Sequence, residues 1–455
     1  MKIHLIAIGG AAMHNVALAL QEKGHAVTGS DDEIFEPSRS RLRAKGLLPP
    51  EQGWFPERIT PDTDAAIIGM HAREDNPEIA RCRELGIRLY SFPEFFYEQT
   101  KDKKRLVIGG SHGKTSITAI VLHVLKAEGI KFDYLVGSTI PGFEAMAGLS
   151  DESEIAVFEG DEYLSSPLDK RPKFHLYRPH VGVVTGISWD HINVFPTFEE
   201  YTRQFEIFAQ LIPADGKLFY FEADVVLKEI VKNLPVKSVA YPYREHPYLS
   251  ENGQTFLVHN EEIFPVQLFG LHNLQNIMAA KLLCTEAGVE EENFYHHLKS
   301  FRGAARRLEG VAEGNDITVY YDFAHAPSKV KATLEAVKAK YADKKVMACL
   351  ELHTFSSLNK NFIGQYKDTL QAADLASVYY SYHTLRHKKL PEIHPPEVIE
   401  AFDRSDLNVF TESKAFESWV RSNVQPGTVL LLMSSGNFGG LDILSLAQEL
   451  VANPR

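Results

Sequence analysis

One short segment of the chain has the residue types and spacing needed to bind a phosphate group. Gly109-Gly110-Ser111-His112-Gly113-Lys114-Thr115 follows an apolar run and opens an amphipathic one. Glycines in that context let backbone N–H groups close around phosphate oxygens at the start of a helix. Lys114 would reach the β- and γ-phosphates, and the Thr115 hydroxyl would bind Mg²⁺. The full P-loop pattern has glycine where Ile108 stands, so a glycine-rich turn that happens to carry a lysine is the alternative.

Acidic and imidazole side chains follow two other apolar runs. Glu159-Gly160-Asp161-Glu162 ends one run, and Asp190-His191 closely follows the next. Because the carboxyl ends of parallel strands gather at one sheet edge, these groups could lie beside the phosphate loop. A carboxylate and an imidazole there would suit a divalent cation that bridges phosphates. The alternative is a solvated acidic loop, with His191 as a hydrogen-bonded core residue.

The N-terminal run resembles part of a dinucleotide-binding turn. Gly9-Gly10-Ala11-Ala12 follows the first apolar run, although alanines stand where GxGxxG would have glycine. Ser30-Asp31-Asp32 comes about 20 residues later, where an acidic residue often accepts a hydrogen bond from a ribose hydroxyl. Together these features favour nucleotide binding in this region, and a simple tight turn is the alternative.

Three further segments carry polar groups whose local sequence leaves their roles open. His272 or Asn273 could cap the helical stretch that begins near them. Arg306-Arg307 could hold phosphates bidentately or form a surface charge pair. The segment Asp322 to Pro327, which includes His325, again lies between a strand-like run and a helical one.

The elements that must position these residues are strands alternating with helices. Examples of the predicted strands are Lys2–Ile8, Ala65–Gly69, Arg105–Gly109, Glu154–Glu159, His180–Thr185, Ile317–Asp322, Lys345–Glu351 and Thr428–Ser434. Amphipathic stretches such as Ser116–Glu128 and Ser328–Tyr341 follow some of them. This alternation predicts an α/β fold with parallel sheets and crossover helices. Polar joints divide the chain into predicted domains 1–103, 104–310 and 311–455.

Composition excludes several classes of protein. The 455 residues carry 60 acidic and 48 basic side chains, a net charge of -12, which argues against a protein devoted to nucleic-acid binding. The three cysteines form no CxxC pair, so neither a disulfide framework nor a structural zinc site is expected. No apolar run approaches the ~20 residues of a membrane span. We therefore expect a cytoplasmic α/β phosphoryl-transfer protein with a bound Mg²⁺–nucleotide and no membrane partner.

As an ordered set, these motifs resemble those of the Mur ligase family. The matching segments are Gly110-Ser111-His112-Gly113-Lys114-Thr115, Glu159, Asp190-His191, His272-Asn273-Leu274-Gln275-Asn276, Arg306-Arg307-Leu308-Glu309 and Asp322-Phe323-Ala324-His325-Ala326-Pro327. The resemblance implies a Rossmann-like UDP-binding domain, a central P-loop ATPase domain and a Rossmann-like C-terminal domain that presents an amine. It also implies amide-bond formation with release of ADP and phosphate, through an acyl phosphate of a muramyl carboxylate, in the making or recycling of cell-wall peptidoglycan.

The resemblance further implies a role for each matching residue. Catalytic roles fall to Lys114, Glu159, His191 and Arg307. One Mg²⁺ would be held by Thr115 and Glu159, and a second by His191. ATP would contact Gly110, Ser111, His112, Gly113, Lys114, Thr115, Ser116, Asn273, Asn276, Arg307, Asp322 and His325. The UDP group would contact Gly9, Gly10, Ala11, Met13, Asp31 and His71.

Departures from the family pattern indicate the branch. No lysine lies between His191 and Gly216, where several family members carry a carbamylated one. That fits branches acting on bare UDP-N-acetylmuramate, which add either L-alanine or the recycled tripeptide L-Ala-γ-D-Glu-meso-diaminopimelate. The alanine-adding branch has His-Arg-Tyr-x-Arg-Thr where this chain reads His353-Thr354-Phe355-Ser356-Ser357-Leu358, so both arginines are absent. An alanine carboxylate would lose its bidentate partners.

Two further segments are similar to the tripeptide-adding branch. They are Asp169-Lys170-Arg171-Pro172-Lys173-Phe174 and Met433-Ser434-Ser435-Gly436-Asn437-Phe438-Gly439-Gly440. We therefore expect a tripeptide ligase, with the alanine-adding activity as the first alternative. A non-catalytic nucleotide-binding regulator is the alternative from another class. Ala12 and Asn15 differ from both branches, and the resemblance implies no protein partner.

Overall fold

The computed structural model of the protein describes residues 1–234, 239–251 and 253–452. It divides into two compact units. The first comprises Met1–Ile187, Thr202–Arg244 and Ala279–Leu298, and the second comprises Ser188–Tyr201, Glu245–Met278 and Lys299–Arg455.

The first unit begins with a four-stranded parallel sheet in the order β2-β1-β3-β4. Its strands and helices, in chain order, are β1 (Lys2–Ile6), α1 (Ala11–Glu22), β2 (Ala26–Ser30), α2 (Ser38–Ala44), β3 (Ala65–Ile68), α3 (Pro77–Leu85), β4 (Leu89–Ser91) and α4 (Phe92–Thr100). The central strands β1 and β3 are almost wholly buried and apolar, which is the pattern of a parallel sheet covered on both faces.

A seven-stranded sheet follows in the order β11-β10-β9-β5-β8-β6-β7, parallel except for the β6–β7 pair. The elements are β5 (Lys104–Gly109), α5 (Lys114–Glu128), β6 (Phe132–Leu135), β7 (Ala147–Gly148), β8 (Ile155–Glu159), α6 (Lys173–Leu176), β9 (Val181–Val184), α7 (Phe198–Gln210), β10 (Lys217–Phe221), α8 (Val225–Lys232) and β11 (Val239–Tyr243). Strand β5 lies between β8 and β9, so the segment that follows it sits centrally at the carboxyl edge of the sheet.

Arg105 joins several backbone segments of the first unit. Its buried guanidinium donates to the carbonyl oxygens of Thr100, Lys101 and Lys103 at 2.8–3.0 Å. It also donates to the carbonyls of Tyr177 and Arg178. One side chain therefore satisfies carbonyl groups at the end of α4, in the connection to β5 and in the turn before β9.

A three-stranded antiparallel sheet and two helices come next in the chain. They are β12 (Tyr248–Glu251), β13 (Gln254–His259), β14 (Glu262–Val266), α9 (Leu271–Glu286) and α10 (Glu291–Leu298). This small sheet is not among the strands predicted from the sequence.

The second unit contains a six-stranded sheet in the order β15-β16-β20-β17-β18-β19, with β15 antiparallel to its neighbour. The elements are β15 (Glu309–Gly314), β16 (Ile317–Asp322), α11 (Pro327–Lys340), β17 (Lys345–Glu351), β18 (Leu375–Tyr379), α12 (Tyr382–His387), α13 (Pro395–Phe402), β19 (Asn408–Phe410), α14 (Ser413–Asn423), β20 (Thr428–Met433) and α15 (Ile443–Ala452). Separate apolar clusters, one around Leu334 and Val378 and the other around Phe416 and Leu446, pack against this sheet.

The predicted α/β fold is confirmed, and each of the eight predicted strands is present within two residues of its expected bounds. The domain boundaries at 103 and 310 stay predictions, and residues 453–455 of the third predicted domain lie outside the described part. No helix in the described ranges is long and apolar enough to cross a membrane.

The three cysteines are buried and unpaired. Cys82, Cys284 and Cys349 are each 0% exposed, and all three are free thiols. Burial raises the pKa of Cys82 to about 11 and that of Cys349 to about 12.

Candidate active site

The phosphate loop runs from the end of β5 to the start of α5, and its shape depends on two glycines. Gly110 has φ +119° and Gly113 has φ +67°, values that side chains rarely tolerate. A Cβ at Gly110 would lie 2.1 Å from Thr185 Oγ1 and 2.6 Å from Thr185 N. The Thr185 hydroxyl also donates to the His112 carbonyl at 2.6 Å. The end of β9 therefore fixes the loop in place.

Lys114, the first residue of α5, is paired with an acid inside the loop region. Its Nζ donates to Glu162 Oε2 at 2.7 Å and to the Gly110 carbonyl at 2.7 Å. Burial disfavours the ammonium, but the nearby Glu162, Asp161 and Glu159 carboxylates raise its pKa above the usual value. The lysine is thus held protonated, with its charge at the mouth of the loop.

Thr115 and Glu159 bring two oxygen donors together beside Lys114. The Thr115 hydroxyl donates to Glu159 Oε1 at 2.8 Å, and Gly137 N donates to Glu159 Oε2 at 2.8 Å. A Cβ at Gly137 would lie 2.9 Å from Glu159 Oε1, so the carboxylate packs closely against this glycine. A hydroxyl and a carboxylate are the hard oxygen ligands that Mg²⁺ prefers, so the residues present fit that cation.

Asp190 is a hydrogen-bonded carboxylate in the second unit. It accepts from His191 N at 2.7 Å and from the Ser356 hydroxyl at 3.3 Å. Burial disfavours its ionisation, but His191 and Lys329 outweigh this effect and hold the pKa of Asp190 below its usual range. Burial lowers the pKa of His325 to about 4, and its neutral ring lies 3.9 Å from Asp190. Of the predicted residues, His191 and His325 are therefore brought together around Asp190.

Asp322 holds the segment that carries the arginine pair. Its Oδ2 accepts from Leu308 N at 2.5 Å and its Oδ1 from Ala324 N at 2.5 Å. Burial raises its pKa, and Arg307 opposes that rise. The Arg307 guanidinium lies 4.7 Å from the centroid of the Phe323 ring. Both carboxylate oxygens serve the backbone here, so Asp322 positions Arg307; its contact with ATP remains a prediction.

Arg306 lies 5.0 Å from the centroid of the same Phe323 ring and makes hydrogen bonds to the loop after β20. Its guanidinium donates to the carbonyls of Ser434 at 2.9 Å and Gly436 at 2.7 Å. The Tyr321 hydroxyl also donates to the Gly436 carbonyl, at 3.0 Å. The sequence left two alternatives for Arg306, a phosphate ligand or a surface charge pair. The structure shows a third arrangement, in which Arg306 anchors the loop after β20.

The two asparagines at the start of α9 are buried and lie next to each other. Asn273 Nδ2 donates to the Phe269 carbonyl at 2.9 Å, and Asn276 Nδ2 approaches Asn273 Oδ1 at 3.4 Å. Burial lowers the pKa of His272 to about 4. The proposed contact of these asparagines with adenine stays a prediction.

The residues predicted to bind UDP meet at the carboxyl end of β1. Gly9 N donates to Asp31 Oδ2 at 2.7 Å. A Cβ at Gly10 would lie 3.6 Å from both His71 Nδ1 and Met13 Cγ, so these groups surround the turn, and Ala11 begins α1. Burial, aided by Asp32, raises the pKa of Asp31 to about 7. The predicted residues therefore lie close together, as a nucleotide site requires. Their contacts with UDP remain predictions.

Arg41, which links two parts of the first unit, is not among the residues predicted from the sequence. Its Nη1 donates to Asn15 Oδ1 at 2.9 Å, and the same oxygen accepts from Met146 N at 2.9 Å. The Arg41 guanidinium also donates to the Glu144 carbonyl. No local spacing marks Arg41, because its partners come from positions 26 and 103 residues away.

The positions where the alanine-adding pattern has arginines are occupied by two hydroxyls that bond each other. Thr354 Oγ1 donates to Ser357 Oγ at 3.0 Å and accepts from Ser357 N at 3.1 Å. A cavity of about 450 Å³ lies nearby at the carboxyl ends of β17, β18 and β19. Its lining includes Glu351, Tyr379, His383, Arg386, Glu412 and Asn437.

Comparison with known proteins covers nearly the whole chain. Models described as "Mur ligase family, catalytic domain", "Mur ligase middle domain" and "Mur ligase, glutamate ligase domain" match residues 2–104, 108–284 and 306–436. A UDP-N-acetylmuramate–L-alanine ligase of Caldicellulosiruptor bescii is 31% identical over 386 residues, covering 82% of each chain. The chain belongs to the Mur ligase family.

Other Mur ligases match at greater length. The UDP-N-acetylmuramate–L-alanyl-γ-D-glutamyl-meso-2,6-diaminoheptandioate ligase of Escherichia coli is 29% identical, covering 97% of this chain and 96% of the relative. The crystal structure of the UDP-N-acetylmuramate–alanine ligase of Thermotoga maritima has a TM-score of 0.72 at 21% identity, covering 99% and 98% of the two chains. That likeness confirms the three-domain Mur ligase fold.

Membership confirms the activity class expected from the sequence. This Mur ligase is an ATP-dependent ligase of the acid–amino-acid type, with a P-loop central domain between two further α/β domains. Relatives of both branches match at similar identity, so the family alone leaves the amine substrate open.

Proposed function

We propose that this Mur ligase joins UDP-N-acetylmuramate to the tripeptide L-Ala-γ-D-Glu-meso-diaminopimelate in the cytoplasm, as a step of peptidoglycan recycling. The observation that carries the proposal is the hydroxyl pair of Thr354 and Ser357, which bond each other where the alanine-adding pattern has two arginines. Without those arginines, a free alanine carboxylate has no bidentate partner at these positions. The cavity of about 450 Å³ beside them also offers more room than one alanine needs.

The first chemical step would activate the muramyl carboxylate. A carboxylate oxygen forms a bond to the γ-phosphorus of ATP, the bond to the ADP oxygen breaks, and an acyl phosphate results. Lys114 would neutralise charge on the transferring phosphoryl group, since catalysis of such a transfer depends on positioning and charge stabilisation. Arg307 would add a second cation.

Thr115 and Glu159 are the residues we assign to Mg²⁺ in this step, because their oxygens converge beside Lys114. When bound, the cation would neutralise negative charge on the β- and γ-phosphates. We assign His191 to a second cation on the strength of its family motif. ATP would further contact the Gly110–Ser116 loop, Asn273, Asn276, Asp322 and His325.

The second step would form the amide bond. The amine nitrogen of the acceptor attacks the acyl carbon, phosphate departs, and the nitrogen loses a proton. The UDP group would be held by Gly9, Gly10, Ala11, Met13, Asp31 and His71. Unpaired thiols at all three cysteines support a reducing, cytoplasmic setting.

The second candidate function is addition of L-alanine. It is favoured by the 31% identity to the Caldicellulosiruptor bescii enzyme, a UDP-N-acetylmuramate–L-alanine ligase.

A two-acceptor assay tests the proposal. The protein is incubated with ATP, Mg²⁺ and UDP-N-acetylmuramate, together with either the tripeptide or L-alanine, and phosphate release is measured with mass analysis of the product. We expect turnover with the tripeptide and little with alanine. Turnover with alanine alone would refute the proposal, and absence of product with either acceptor would favour the nucleotide-binding regulator. A Lys114→Ala variant provides the background rate.

A further inference from the structure

The cavity in the second unit is built by the carboxyl ends of neighbouring strands. Glu351 ends β17, Tyr379 ends β18, Glu412 follows β19 and Asn437 follows β20. Ligands of parallel sheets bind at this edge. The cavity volume of about 450 Å³ lies within the range of small-molecule sites.

The wall of the cavity formed by the loop after β20 is held rigidly. Buried Glu351 accepts from Phe438 N at 2.7 Å and from the Ser434 hydroxyl, and it lies 3.5 Å from His353 Nδ1. A Cβ at Gly436 would lie 2.8 Å from Glu351 Oε2, so the loop packs tightly on this carboxylate. Glu351 is therefore a positioning residue, whose charge is already engaged by the protein.

The strand order sets the distance to the opposite wall. Asp322 is the last residue of β16 and accepts from Leu308 N, next to Arg307, and β18 lies three strands away in the order β16-β20-β17-β18. At a spacing of about 4.8 Å, the ends of β16 and β18 are about 14 Å apart. One residue spans about 3.5 Å and three residues about 10 Å before side chains are added. An acceptor whose amine lies near β16 therefore needs three extended residues and the side chain of the last one to approach the wall beyond β18, and a single amino acid is too short.

The wall of the cavity beyond β18 carries a cation, Arg386, whose guanidinium can donate further hydrogen bonds. Arg386 lies on α12, directly after β18, and its side chain is 68% exposed. Its Nη1 is 4.0 Å from Glu392 Oε1, too far for a hydrogen bond. The buried guanidinium of Arg404, by contrast, donates to the carbonyls of Leu370 and Ala373 and to Asp406. Arg386 is thus an exposed guanidinium lining the cavity, suited to a bidentate bond with a carboxylate.

We propose that Arg386 is a specificity-determining residue that binds a carboxylate on the third residue of the peptide acceptor. The inference rests on the proposed function, because it requires an acceptor longer than one amino acid. In this proposal a residue of α12 binds the end of the acceptor that is remote from the amine, and other residues contact the reacting atoms.

The test compares Arg386→Gln with the wild type on two acceptors: the tripeptide, and the tripeptide with both carboxylates of its third residue amidated. Loss of a charge-assisted bidentate bond should raise KM for the tripeptide about 10- to 100-fold with kcat little changed. The amidated acceptor should be used equally by both proteins. Arg386→Lys should fall between them, because lysine keeps the charge and loses the fork.

Lys388→Gln is the matched control, since Lys388 caps the same helix outside the cavity lining. It should leave both acceptors unaffected. An unchanged KM in Arg386→Gln, or an equal loss with the amidated acceptor, would overturn the inference while the wild-type rate with tripeptide upholds the proposed function. A wild type that uses alanine but not tripeptide would overturn both.

Discussion

Replacing Gly110 by alanine tests whether the end of β9 fixes the phosphate loop. Gly110 has φ +119°, where an L side chain costs about 1–3 kcal/mol. The added Cβ would also lie 2.6 Å from Thr185 N, a backbone atom that cannot rotate away as the hydroxyl can. Overpacking of this kind costs about 1–3 kcal/mol more. We expect Gly110→Ala to lower the free energy of unfolding by about 4 kcal/mol and to abolish ATP binding.

Gly129→Ala separates the two causes. Gly129, the C-cap of α5, has φ +80°, but nothing lies within 4 Å of its Cβ position. Its cost should be the backbone strain alone, about 1–2 kcal/mol. Urea unfolding followed by circular dichroism gives the stabilities, and calorimetric titration gives ATP affinity. The reasoning is refuted if Gly110→Ala unfolds within about 0.5 kcal/mol of Gly129→Ala and binds ATP like the wild type.

Three further changes have defined outcomes. Lys114→Ala should abolish phosphate release yet retain UDP-sugar binding by calorimetry; loss of both would contradict the separate sites. Asp31 has a pKa raised from 3.8 to about 7, so its deprotonation costs stability. The wild type should therefore lose stability relative to Asp31→Asn as pH rises from about 4 to 7, and parallel pH profiles would oppose this. Arg105→Met leaves five carbonyls without their donor and should lower the free energy of unfolding by about 3–5 kcal/mol, whereas Arg73→Met at the surface should change it little.

Local patterns were sufficient to predict eight of the described strands and the phosphate loop. The strand predicted at Arg105–Gly109 is observed as Lys104–Gly109. It was predictable because a buried parallel strand is a continuous apolar run in the sequence. Gly113, Lys114 and Thr115 also lie at the start of α5, as the phosphate-loop pattern predicts. By contrast, every residue of Tyr248–Glu251 is exposed, so this strand has no alternation of buried and exposed residues to detect. It pairs antiparallel with β13 although none of its residues is buried.

Long-range pairs explain what the sequence could not give for the site. Lys114 meets Glu162 across 48 residues, and Arg306 meets Gly436 across 130. Neither pairing follows from spacing, because it depends on which strands become neighbours in the sheet. Arg306 and Arg307 are adjacent and of the same type, and both guanidinium groups lie within 5.0 Å of the Phe323 ring centroid, yet Arg306 also anchors the loop after β20. Only packing distinguishes them.

The burial of all three cysteines makes the protein convenient for site-specific chemical labelling. Thiol reagents attack the thiolate, and thiols that are 0% exposed with raised pKa values supply almost none at neutral pH. A cysteine introduced at the surface of each unit would thus carry a maleimide dye without prior removal of native residues. Energy transfer between two such dyes would follow the distance between the units as ATP, UDP-sugar and acceptor are added in turn.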